Sequence, residues 1–235
     1  MVNIKVGDGD NPEDFFVHKS LLCDNSDFFL NALTGGFVEP RTNIVRLPDD
    51  KPKIFSLYSS WLYNPSPFNA TAAEDLAATA LTGEARRKAR KAHCEDSCWL
   101  ADAYQFGIKI LDHDFCDMIL DRMLGRAQDM SYWPFKSFFE LFNRSNASDP
   151  QRKLFVDIWL HVSQESWFEN GGPRFDEEAW KEITKALVAN KTEALTRENA
   201  PWRNDSCHYH WHKKNGTAGT PCYKAKRVSE KSLEN

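Results

Sequence analysis

Phe15-Phe16-Val17-His18-Lys19-Ser20-Leu21-Leu22 carries the chain from strand into helix, and the residues on either side follow the same logic. Ahead of it, Val2, Ile4 and Val6 alternate with Asn3 and Lys5, the period-two pattern of a half-buried strand. Gly7-Asp8-Gly9-Asp10-Asn11-Pro12 is dense in turn chemistry, so the two strands form a hairpin. Behind it, Leu21-Leu22 and Phe28-Phe29 fall at helical spacing until Gly35-Gly36, a stop that reaches positive φ cheaply. Ser26, ahead of Asp27-Phe28-Phe29, suits a helix N-cap. Residues 42–47 alternate once more as a third strand, closed by Pro48-Asp49-Asp50.

From Lys51 the period changes to 3.6: Ile54, Leu57, Tyr58, Trp61 and Leu62 make one apolar helical stripe. Residues 64–93 interrupt this order as an insert that begins Pro-rich and ends in the basic run Arg86-Arg87-Lys88-Ala89-Arg90-Lys91. Helical patterns resume at Trp99–Phe106 and at 114–124, and Gly125 is the expected end of the first domain. Beyond it Phe138, Phe142, Phe155, Trp159 and Val162 continue at helical spacing. A last helix near 176–190 opens on Asp176-Glu177-Glu178, acids suited to a positive helix N-terminus, with Trp180, Ile183 and Leu187 as its inner stripe. The predicted class is α+β: a small three-stranded sheet covered by helices over 1–125, an all-helical extension over 126–196, and a polar tail over 197–235.

Bulk composition narrows the function classes. Of 235 residues, 41% are hydrophobic and 27% charged, the balance of a soluble globular chain. Thirty basic against 34 acidic side chains leave a formal charge of −4, which argues against a nucleic-acid binder. No apolar run approaches the ~18 residues of a membrane span. The first residues lack the layout of a secretory signal, so an intracellular setting, cytoplasm and/or nucleus, is expected. There the six cysteines stay reduced unless they bind metal.

Phe16-Val17-His18-Lys19-Ser20-Leu21-Leu22, with Ser26 and Phe29 following, resembles the F-x-V-H-K-x-x-L-x-x-x-S-x-x-F core motif of the BTB/POZ family. Gly36-Phe37-Val38-Glu39 is similar to the G-x-F-x-E segment that follows it. Val45-Arg46-Leu47-Pro48-Asp49-Asp50 and Leu100-Ala101-Asp102-Ala103-Tyr104 resemble the family's third strand and a later L-A-D-x-Y/F helix. The match covers about residues 2–125 and is most like the BTB-domain proteins of fungi. It implies a protein–protein interaction module without catalytic activity, which self-associates as a homo-oligomer or docks protein partners. Some members are adaptors for cullin-type ubiquitin ligases, where a hydrophobic-x-Glu motif at the place of Phe37 and Glu39 contacts the scaffold. Phe16, His18, Leu22, Ser26 and Phe29 are then signals of the fold. Many dimeric members carry a helix ahead of the first strand, where this sequence has only Met1, and in many the 64–93 connection is shorter.

No motif supports an enzyme. Gly7-x-Gly9-x-x-Pro12 fails as a dinucleotide fingerprint, because proline replaces the third glycine and a strand follows where a helix should begin. Asp112-His113-Asp114 reads as the acidic start of a helix rather than an acid–base cluster. Chemistry concentrates in the tail, at Cys207-His208-Tyr209-His210-Trp211-His212 and Cys222. On an extended segment the three histidines lie on one side. Cys207, His210, His212 and Cys222 then offer the N/S donors of a tetrahedral zinc site; the alternative is packing of these side chains on the helical region. Cys94 and Cys98 read as helix-core cysteines, with a second half-site as the other option. The run 86–91 reads as a solvated face, or as a nuclear address. With zinc and that address, the second functional reading is a zinc-stabilised nuclear regulatory scaffold without a ligase role.

Overall fold

The computed structural model describes residues 1–8, 12–35, 42–64, 84, 98–129, 135–165, 168, 175–192, 194–214 and 221–226. Phe37, Glu39, Cys94, the run 86–91 and nearly all of the insert at 64–93 lie outside them. The chain forms two compact units, Met1–Ser131 with Tyr223–Asn235, and Tyr132–Cys222.

The first unit is α+β. Strand β1 (Val2–Val6) pairs antiparallel with β2 (Glu13–Val17) and parallel with β3 (Ile44–Leu47), in the order β2-β1-β3. Gly7 turns the hairpin at φ 103°, a conformation that glycine adopts without a Cβ clash. A parallel neighbour cannot be reached by a tight turn, so β3 needs a crossover. Helices α1 (Lys19–Asn25) and α2 (Asp27–Thr34) lie in that connection. Period two sends Val2, Ile4, Val6, Val17, Val45 and Leu47 to the buried face. Phe16 falls on the opposite face, facing Asn3 in the register and 62% exposed. Phe15, on the same face of this strand as Val17, is half-buried with its ring 4.9 Å from Phe55.

Leu22 and Phe29 are fully buried. Ser26 is the N-cap of α2: its hydroxyl accepts the Phe29 N–H (3.1 Å) and donates to the Ile110 carbonyl (2.5 Å). His18 links the end of β2 to α3 (Pro52–Tyr63), with Nδ1 2.8 Å from the Tyr63 hydroxyl, which also accepts the His18 N–H at 3.0 Å. The stripe expected on α3 is buried throughout, at Ile54, Leu57, Tyr58, Trp61 and Leu62.

Helix α4 (98–109) ends at Leu111, in the left-handed region at φ 57°, and α5 (His113–Asp129) begins at once. Asp112 starts it as anticipated, accepting the Phe115 N–H on Oδ1 (2.8 Å) and the Tyr58 O–H on Oδ2 (3.1 Å). Burial and this carboxylate push the Tyr58 hydroxyl well above its usual range, so it stays a donor. Gly125 lies inside α5 rather than at a boundary, since one glycine costs a helix only about 1 kcal/mol. The short helix 223–226 completes this unit: Tyr223 is buried near Trp61 (5.7 Å) and donates to Asp121 (2.6 Å), and Lys226 pairs with Asp114.

In the second unit the described residues form helices α6 (Phe135–Asn143), α7 (Pro150–Val162) and α8 (Glu177–Ala189), with short turns after them. Helix α7 is buried almost all round, and Phe142, Phe155, Phe175, Trp159 and Trp180 cluster about it. Arg152 on α7 is held by Glu178 and Glu182 of α8 while its guanidinium lies 4.1 Å above the Phe142 ring. On α8 the inner stripe is Ala179 and Ile183; Leu187, expected inside, is 44% exposed because the packing ends a turn earlier.

Among the described glycines, Gly107 sits closest to its neighbours. A Cβ there would stand 2.6 Å from Cys116 Sγ and 2.9 Å from Phe115 Cδ1, both on fully buried side chains. Gly107→Ala should therefore destabilise by about 1–3 kcal/mol despite the better helix propensity of alanine. Denaturant midpoints check this, and Gly107→Ala with Cys116→Ala should recover part of the loss. An unchanged midpoint in the single variant contradicts the packing.

Candidate metal centre

Residues 197–214 are too polar to pack like the helices before them, and they are ordered by a few specific anchors. Helix α9 (Pro201–Asn204) opens on a proline, whose fixed φ suits the first helical position, and its Trp202 is buried beside His161. Asp205 then caps the 3₁₀ turn Ser206–Tyr209 by accepting the Cys207 N–H at 2.9 Å. Tyr209 is fully buried, and its hydroxyl donates to Asp157 Oδ2 of α7 at 2.7 Å. Burial and the Asp157 charge push that hydroxyl far above its ordinary range, which keeps it protonated as the donor. His210 follows in extended conformation, and the single turn α10 (Trp211–Lys214) carries His212.

This turn sorts the histidines. His208 is exposed and lies against Lys153, whereas His210 is fully buried and His212 half-buried. The extended segment expected from the sequence, with all three on one side, is thus replaced by a turn that sends His208 elsewhere. The rings of His210 and His212 meet edge to face at 5.4 Å. Cys222 arrives from the far side of residues 215–220, which lie outside the described residues.

Cys207, His210, His212 and Cys222 come together. One donor atom from each lies within 4.8 Å of all the others, and among the described residues this is the one such group able to hold a metal ion. Cys207 Sγ is 3.7 Å from Cys222 Sγ, and Cys222 Sγ is 3.6 Å from His210 Nδ1. The sulfurs are not bonded to each other, being far beyond the ~2.05 Å of a disulfide. A tetrahedral ion with metal–sulfur bonds of ~2.3 Å and metal–nitrogen bonds of ~2.0–2.1 Å has edges of about 3.8 Å (S to S) and about 3.5 Å (S to N). The 3.7 Å and 3.6 Å spacings fall close to these edges. Two thiols and two imidazoles within 4.8 Å of one another could hold a metal ion.

The other sequence candidates are dispersed. His18 and Ser26 make the structural bonds described above, and Cys98 is half-buried on α4. Among the described residues no helix is long and apolar enough to cross a membrane. What the sequence could not supply was Tyr209 and Asp157 as the clamp of the site, because 52 residues separate them. Comparison of the chain with models of known families, with curated proteins and with solved structures returns no match.

Tyr209→Phe removes the hydroxyl that ties this turn to Asp157 at 2.7 Å. A hydrogen bond to a charged acceptor contributes about 1.5–3 kcal/mol, and the variant should lose that much stability by denaturant unfolding. Wild-type stability in this variant contradicts the clamp.

Proposed function

We propose that this chain is a protein-interaction scaffold without catalytic activity of its own, built from an N-terminal unit of the BTB/POZ type and a second unit whose tail is cross-linked by a structural zinc ion. The observation that carries it is the convergence of Cys207, His210, His212 and Cys222 within 4.8 Å, with 3.7 Å between the sulfurs and 3.6 Å from Cys222 Sγ to His210 Nδ1. Zinc has no ligand-field preference that opposes a tetrahedral S₂N₂ shell, and this donor set is among its common structural ones. Four protein donors leave no position for a substrate or an activated water, which favours a structural over a catalytic ion.

The BTB/POZ reading is supported by the order strand, hairpin strand, two helices, third strand and helix, together with buried Leu22 and Phe29 and the Ser26 cap at the motif positions. On that reading Phe37 and Glu39 follow the end of α2 and form the partner contact, an apolar anchor with a carboxylate at its rim. The partner is a cullin scaffold, with the chain as substrate adaptor. A zinc-stabilised nuclear regulatory scaffold shares the metal site but not this contact.

Protein purified without chelator should carry one zinc per chain, and Cys207→Ser should lose it along with thermal stability. Absence of metal, with unfolding indifferent to chelators, contradicts the zinc reading. Affinity capture from a fungal extract tests the adaptor role. A cullin recovered with wild type and lost with Glu39→Arg is the expected result; a folded bait that recovers no cullin with either removes it.

A further inference from the structure

The two sulfurs that form one edge of the donor cluster are also the only described cysteine pair placed to react with each other. Cys207 and Cys222 are both half-buried, while His210 is sealed. Their Sγ atoms stand 3.7 Å apart, so closure to a disulfide needs an approach of about 1.7 Å. They lie on separate segments, the turn Ser206–Tyr209 and the stretch just before 223–226. Cys116, by contrast, is wholly buried, and burial pushes its thiol and that of Cys23 upward, away from the nucleophilic thiolate.

We infer that the metal centre is a redox-releasable clamp, in which a hydroperoxide oxidises Cys207 and Cys222 to a disulfide and frees the ion. This rests on the zinc reading above. The steps balance as follows. One thiolate attacks the peroxide, its O–O bond breaks, and a sulfenic acid and hydroxide form. The second thiolate attacks the sulfenic sulfur, forms the S–S bond and expels a second hydroxide. Two protons convert the two hydroxides to water. The sulfurs together lose two electrons and hydrogen peroxide gains them. Zinc leaves as the aqua ion, because His210 and His212 alone are too few donors to hold it. Two thiols restore the site by exchange, taking up zinc again.

The test uses the full chain loaded with one zinc and treated with one equivalent of hydrogen peroxide beside a chromogenic zinc indicator. Non-reducing peptide mapping reads the bond. Release of one zinc for each Cys207–Cys222 disulfide, reversed by dithiothreitol and added zinc, is the expected result. Zinc retained while other thiols oxidise overturns the clamp and leaves the zinc site standing. So does release accompanied by sulfinic acids or by disulfides to other cysteines. A chain that binds neither zinc nor cobalt at the outset overturns the zinc reading itself, and this inference with it.

Discussion

Convergence of two thiols and two imidazoles within 4.8 Å governs how the polar end of this chain can be ordered. Fixing one residue's backbone costs about 1–2 kcal/mol, and the stretch 197–214 has few apolar groups to offset it. Trp202, Tyr209 and Trp211 are buried, but three such side chains contribute about 1.5–3 kcal/mol each. Structural zinc in small peptides supplies about 10–16 kcal/mol, more than these three contribute together. The proposed ion is therefore the largest single term available to this segment. The Tyr209–Asp157 hydrogen bond fixes where the cluster forms: it seats the turn on α7, with Cys207 and His210 either side of the tyrosine.

Much of the first unit was legible because its pattern is local. Val2, Ile4 and Val6 alternate and are fully buried; Ser26 precedes a helix and caps it. Phe16 was less legible. Two adjacent phenylalanines in a strand must face opposite ways, and the sequence does not say which; pairing with Asn3 sends Phe16 outward. Gly125 illustrates the limit of stop signals, since one glycine costs a helix only about 1 kcal/mol and α5 runs through it to Asp129. Gly107 carried no sequence signal, because its need for hydrogen in place of Cβ comes from Cys116 and Phe115 on the next helix.

The candidate site was legible in its residue types but not in its shape. Cysteine and histidine crowd into 207–212, and Cys222 suits the fourth donor by its chemistry rather than its spacing. Alternation would group His208 with His210 and His212. A 3₁₀ turn has three residues per turn, so it breaks that grouping and leaves His208 beside Lys153. An Asp205 cap on the Cys207 N–H is what makes this turn, a local signal readable in principle from aspartate just ahead of the cluster.

In the proposed scaffold the zinc holds the second unit's tail, while partner contact belongs to the segment after α2. The central claim is the ion and its shell. X-ray absorption at the zinc edge on protein purified without added metal tests it most directly. Two sulfurs at ~2.3 Å and two nitrogens at ~2.0–2.1 Å are predicted. A shell of oxygen and nitrogen alone, or no bound zinc, would contradict the account.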